Sequence, residues 1–222
     1  MKKLLTLSII AVTLSVLACQ DSKDEAKYDR QTLAAYKQIG HQISNETGMR
    51  WIDKYNEKNN GARLPLSAYG ASANSLAKLR SLEGLVGIAF HHAIDDQGAH
   101  HFILSAVGED LQVWSDAEGK VFIDANTDAE IAVSEASEWT ARYKEANPNE
   151  IWFHFFGSNV FEEISEIPYL DDVNIVPALN DLDLSPQLLL IILNNPLGIL
   201  SRTADAGIVY DASSPCPPCP VN

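Results

Sequence analysis

The chain has 222 residues, a formal net charge of -14, 46% hydrophobic and 21% charged residues. That composition supports one sizeable core or two small ones. None of the sixteen basic residues forms a long basic run. This argues against nucleic acid as a partner, because phosphate contacts need clustered Lys and Arg, and an acidic surface suits a basic protein, a cation or a cationic ligand instead.

Lys2 and Lys3 open the chain, a largely apolar run follows from Leu4 to Leu17, and Ala18-Cys19 closes it. This is the three-part layout of a signal peptide over residues 1–18. The run is shorter than the roughly 20 apolar residues that a spanning helix requires. Val16-Leu17-Ala18-Cys19 resembles the lipobox of bacterial lipoproteins, in which the cysteine is acylated and becomes the first mature residue. That resemblance implies lipidation of Cys19 and membrane attachment through acyl chains alone, each buried methylene contributing about 0.8 kcal/mol. Gln20 beside the cysteine resembles an outer-membrane lipoprotein, and Lys23-Asp24-Glu25 resembles the surface-export signal of Bacteroidetes-type lipoproteins, so the expected location is the outer membrane, on its periplasmic face or at the cell surface. Gln20 to Glu25 is polar and acidic and reads as a tether.

Residues 19–42 hold that tether and a leading helix, with Leu33, Tyr36 and Ile39 at helical spacing. Beyond it the chain repeats itself. Trp51, Tyr55, Glu57 and Asn59 recur as Trp139, Tyr143, Glu145 and Asn147, an offset of 88. Tyr69-Gly70 matches Phe156-Gly157, Ala93-Ile94-Asp95-Asp96 matches Ala178-Leu179-Asn180-Asp181, and the block ending in Asp124-Ala125 matches the one ending in Asp211-Ala212. Four blocks in one order define a first repeat over 43–126 and a second over 127–213, its similarity starting near residue 133.

Each repeat informs the other. Ser44 and Ser134 are expected to cap helices carrying Ile52 and Tyr55, or Trp139 and Tyr143, on their apolar faces. Leu64 to Tyr69 and its aromatic counterpart Ile151 to Phe156 read as strands. Gly70 and Gly157 turn the chain into a second helix, capped by Ser72 or Asn159. Leu85 to Ile94 and His100 to Val107 form a hairpin around Asp95-Asp96-Gln97-Gly98, matched by Val173 to Leu179 and Gln187 to Leu193. Lys120 to Asp124 and Gly207 to Asp211 complete the units. The expected fold is α+β: two tandem copies of a helix-strand-helix-three-strand unit, mostly antiparallel, with helices on one face. The Trp-Tyr helix, aromatic-Gly turn and hairpin resemble duplicated-domain proteins of Bacteroidetes-type genomes, and the likeness carries no activity or catalytic residue with it.

His91, His92, His100 and His101 flank the first hairpin turn and form the densest ligand-capable cluster. Strand alternation sends one histidine from each strand to each face. Two imidazoles make half of a zinc site, and Asp95 or Asp96 could add a carboxylate. The second copy places Ala178-Leu179 and Pro186-Gln187 near the matching positions. There is no nucleophile elbow, phosphate loop or dinucleotide fingerprint. Asp95, Asp96, Asp171, Asp172, Asp181 and Asp183 fall in turns, where carboxylates commonly bond the backbone.

The tail, residues 214–222, carries Cys216 and Cys219 among four prolines. Outside the cytoplasm this spacing predicts a local disulfide. Redox activity would require a helix after the first cysteine, which the prolines oppose, and metal chelation is the remaining use.

The functional expectation is a non-enzymatic, membrane-anchored lipoprotein that binds an unidentified protein or small ligand, with no resident cofactor. One alternative is a protein holding a divalent metal through the hairpin histidines. Another is an immunity- or inhibitor-type protein whose acidic surface captures a basic partner, an attraction that salt would screen within about 8 Å. Cys19→Ala should release the protein from the membrane fraction and remove the lipid mass; equal membrane retention of the variant would contradict lipidation at Cys19.

Overall fold

A computed structural model describes residues 28–59, 69–114, 119–193 and 207–211, together with the backbone of 214–216. The signal segment, Cys19, most of the strand expected over 64–69, and Cys219 lie outside the described residues. Among them are five helices, α1 (Arg30–Lys37), α2 (Asn45–Lys58), α3 (Ala73–Arg80), α4 (Val133–Ala146) and α5 (Ser158–Ser165). The strands are β1 (His41–Ile43), β2 (Gly70–Ser72), β3 (Gly87–Ile94), β4 (His100–Val107), β5 (Phe122–Asp124), β6 (Ala129–Glu130), β7 (Phe153–Gly157), β8 (Asp172–Leu179), β9 (Pro186–Leu193), β10 (Gly207–Asp211) and β11 (Ser214–Cys216). The class is α+β, and both sheets are antiparallel.

Local chemistry explains most boundaries. Ser44 caps α2, its hydroxyl accepting from the Thr47 amide at 3.1 Å, and Ser72 caps α3 by accepting from Ser75 at 3.2 Å. The expected caps differ in the second copy. α4 begins one residue before Ser134, with Ala132 as an uncapped N-cap. Asn159 lies inside α5, whose N-cap is Gly157, and donates to the Gly40 carbonyl at 3.1 Å. In the first hairpin Gly98 takes the left-handed conformation, φ +82, that its turn requires. Gly157 answers a different constraint: a Cβ there would lie 2.4 Å from the Lys37 carbonyl, where α1 ends against β7.

The strand order reveals what repetition alone did not specify. One sheet runs β1-β10-β9-β8-β2 and the other β11-β7-β3-β4-β5-β6. The hairpin and last strand of the second copy, β8 to β10, are flanked by β1 and β2 from the first. The hairpin and last strand of the first copy, β3 to β5, are flanked by β6 and β7 from the second. The opening helix of each copy crosses over too, α2 packing on β8 and α4 on β3. Reciprocal exchange of equivalent elements is what a two-fold relation between identical units produces. The two units therefore do not each complete a sheet, as the tandem reading implied. The short β1 and β6 and the tail strand β11, which pairs Ser214 with Phe155 and Cys216 with Phe153, were not anticipated.

The two sheets face each other across a shared core. Ile88, Phe90, Phe102, Leu104 and Ile123 of one meet Val173, Ile175, Leu188, Leu190 and Tyr210 of the other, closed at the margin by Leu76 and Leu79 of α3 and Val160, Phe161 and Ile164 of α5. On the outer faces Trp51 and Ile52 of α2 cover Val176, Leu189 and Val209, while Ala136 of α4 covers Ala93, Ile103 and Phe122. α1 adds Leu33 over Ala89 and Phe155. Thus α1, α2 and α4 lie outside the sheets, whereas α3 and α5 edge the central core. No helix among the described residues is long and apolar enough to cross a membrane.

Because edge strands and covering helices are exchanged, a chain ending after residue 131 should not form a folded monomer. Narrow amide dispersion, or recovery as a homodimer, is the expected NMR and sedimentation result; a well-dispersed monomer would overturn the exchange as the source of stability.

Candidate functional site

The β3–β4 register pairs His92 with Phe102, Ala93 with His101 and Ile94 with His100. Alternation then separates the four hairpin histidines as expected. His92 and His100 face the opposing sheet, and His91 and His101 face α1 and α4. The same register in the second copy, where Ala178 pairs with Gln187, matches His91-His92 to Val176-Pro177 and His100-His101 to Pro186-Gln187. Sequence proximity had suggested Ala178-Leu179 for the first pair; the hairpin pairing shifts it by two residues.

On the helix face, His101 lies between two carboxylates. Its Nδ1 is 2.9 Å from Asp124 Oδ1 and its Nε2 is 3.3 Å from Asp95 Oδ2, with the Trp139 ring 4.8 Å away. Both ring nitrogens are engaged, so this imidazole has no free position for a substrate proton. Asp124 also accepts from the Asn126 amide and Thr127 hydroxyl, and Asp95 from the Gln97 and Ala99 amides. These carboxylates hold turns, as Asx geometry predicts. His91 Nε2 meets Ser105 Oγ at 3.2 Å, but both are buried, beneath Trp114 and Phe153. A serine–histidine contact sealed from solvent cannot reach a substrate.

Each hairpin tip is clamped by the opposite copy's helix. Asp181 receives Arg50 Nε at 2.8 Å and Trp51 Nε1 at 2.9 Å, while Arg142 pairs with Asp96 and donates to the Ile94 carbonyl at 3.2 Å. Trp51 thus bonds a turn directly, whereas its counterpart Trp139 packs against His101 of the strand and leaves the turn to Arg142. Asp183 accepts from Ser185, another turn contact.

The inner-face histidines form a chain. Tyr69 Oη lies 3.0 Å from His100 Nδ1, and His100 Nε2 lies 3.0 Å from His92 Nδ1. His92 stacks on Tyr143, with centroids 4.8 Å apart and planes 20° from parallel. Beyond it, at 5.7 Å between centroids, is His154 of β7, which sequence reasoning missed because it sits in an aromatic strand far from the hairpin. His154 is 2% exposed and its Nδ1 meets no hydrogen-bond partner.

His92 and His154 open onto a cleft of about 230 Å³. Tyr55, Lys58 and Asn59 from the end of α2, Tyr143 from α4, Glu150 and Ile151, and Pro177, Pro186 and Gln187 of the second hairpin complete it. Both copies contribute equivalent positions, Tyr55 with Tyr143 and Pro177 with His92. Exchange of strands is therefore what builds the cleft. No group of three or more His, Cys, Asp or Glu among the described residues could hold a metal ion. The sheet keeps His91 and His101 apart from His92 and His100, so the four cannot form one site. Nothing is described of the Cys216 and Cys219 side chains.

No family model, no curated protein and no solved structure matches the chain.

Burial sets the protonation of the interior. It lowers His91 and His154 to about 3 and His100 to about 4, and His92 is held well below 6.5 by burial and then by the neighbouring imidazoles. Asp211, whose counterpart Asp124 has His101 where this copy has Gln187, is raised to about 6 by burial. A histidine titrating lower in the folded state contributes its stability fully above 6.5 and loses it as the pH falls, at up to about 1.4 kcal/mol per unit per group. Asp211 acts oppositely, its contribution lost as the pH rises through about 6. Four histidines outweigh one carboxyl, so the urea midpoint should fall steadily from pH 7 to pH 4. A midpoint that is flat or rises over that range would contradict neutral buried imidazoles.

Proposed function

We propose that the chain is a lipid-anchored binding protein of the outer membrane, acting without a chemical step, and that a small ligand occupies the cleft between the exchanged copies. The supporting observation is His154. His154 lines a cleft that is open to solvent and its buried Nδ1 lacks a hydrogen-bond partner, and a buried polar group left unpaired costs about 1–3 kcal/mol. Native interiors rarely tolerate such a group without a reason. A ligand that bonds this atom recovers the loss.

Anchoring follows from the lipobox reading of Cys19 and presents the cleft at the membrane surface, periplasmic or external. Catalysis has less support, since His101 has both nitrogens engaged and Ser105 is sealed.

Ligand occupancy at 100 times Kd stabilises a protein by about 2.7 kcal/mol, roughly 5–10 °C in Tm at this size. A thermal-shift screen of small metabolites should therefore yield at least one compound that raises the wild-type Tm by that amount. Ile151→Trp, which fills the cleft, should abolish the rise. The reading fails if no compound raises the wild-type Tm, or if the variant responds equally.

A further inference from the structure

Resting on that reading, the cleft's lining also specifies what kind of molecule it accepts. Its interior carries no formal charge. His92 and His154 are neutral imidazoles, and the charged groups Lys58 and Glu150 stand at the solvent-exposed rim, one of each sign. A buried ion would therefore meet no counter-charge at the floor, and desolvating an unpaired charge is costly. Tyr55 and Tyr143, and Pro177 and Pro186 of the second hairpin, supply flat side chains to the lining. Flat faces of this kind favour planar groups, which stack with large contact area.

The polar groups are paired in a way that suits either direction of hydrogen bonding. A neutral imidazole has one donor and one acceptor nitrogen. If Tyr69 donates to His100 Nδ1, then His100 Nε2–H donates to His92 Nδ1, and His92 carries its own proton on Nε2. If His100 Nδ1–H instead donates to Tyr69, every bond reverses and His92 Nε2 becomes an acceptor. The Tyr69–His100–His92 chain can thus exchange the role of the imidazole that lines the cleft without any change in charge. His154 supplies a second neutral imidazole nearby. About 230 Å³ corresponds to roughly eight waters at 30 Å³ each, room for a bicyclic ring.

We propose that the cleft binds an uncharged planar heterocycle bearing both a hydrogen-bond donor and an acceptor, held between the tyrosine and proline walls and bonded to His154 and His92. Tyr69 and His100 are positioning residues that set the direction of the bond at His92.

The test uses the full mature chain, labelled with ¹⁵N, and follows the histidine ring signals at neutral pH during titration with benzimidazole, 1-methylbenzimidazole and indene. The three probes share a shape and differ in their hydrogen-bonding atoms. Benzimidazole should perturb His92 and His154 saturably and bind at least tenfold more tightly than the other two. His154→Phe should reduce benzimidazole affinity about tenfold and leave indene unchanged; Tyr69→Phe, which shortens the chain, should shift the His100 and His92 ring signals without closing the cleft. If that variant does not fold, the probe series on the wild type decides alone. Equal binding of all three probes would overturn the hydrogen-bonding class while the cleft remains a ligand site. Tighter binding of benzoate or benzylammonium than of benzimidazole would overturn the uncharged class in the same way. Failure of all five probes to perturb His92 or His154 would overturn the inference, and the metabolite screen with Ile151→Trp separately decides whether the cleft binds anything.

Discussion

The pairing of β7 with β3 is the contact on which the molecule depends. Five residues of the second copy, Phe153 to Gly157, lie in register against His91 to Gly87 of the first. Phe155 and Phe156 are completely buried on opposite faces of that sheet, one against α1 and one in the central core. Burying each such ring stabilises by about 1.5–3 kcal/mol, so this strand anchors two cores at once. Because β2 makes the reciprocal pairing with β8, neither half encloses its own hydrophobic surface. Units of about 85 residues bury too little surface to be comfortably stable alone, and exchange removes the difficulty by making one core from two.

The shared frame leaves the two copies free to differ where packing does not decide. Val176, Pro177, Pro186 and Gln187 occupy the places of the four hairpin histidines at equivalent strand positions, each hairpin in the sheet that faces the other's. The two terminal aspartates show the consequence. Asp124 bonds His101 within a network of turn contacts, whereas Asp211, in the equivalent position of a copy that has Gln187 in place of His101, is raised to about 6 by burial. Equivalent backbone thus supports an imidazole between two carboxylates on one side and Pro177, Pro186 and Gln187 on the other. The cleft combines the two sides, with prolines on one wall and neutral imidazoles on another.

Part of this site was legible in the residues. Alternation along a strand required His91 and His101 to part from His92 and His100, and the repeat pointed to the Trp and Tyr positions of each opening helix. The metal reading counted two imidazoles on each face with a carboxylate from Asp95 or Asp96, and no group of three or more such ligands is gathered among the described residues. His154 gave no signal of its own: an isolated histidine in an aromatic run looks like a core residue. Only the pairing of β7 beside β3, between residues far apart in sequence, brings it within 5.7 Å of His92. Tyr69 likewise reaches His100 because β2 belongs to the opposite sheet.

By itself the sequence determined the α+β class, the opening helix, hairpin and last strand of each copy and the leading helix, all of which arise from local periodicity, capping and turn chemistry. It also identified the repetition, since equal local instructions produce equal local structure. Only the tertiary structure decided which copy completes which sheet. Hydrogen-bonding edges and apolar faces are the same in both copies, so pairing within a copy and pairing between copies satisfy the same local rules. The choice falls to the geometry of the whole chain, and with it the existence of a cleft between the copies.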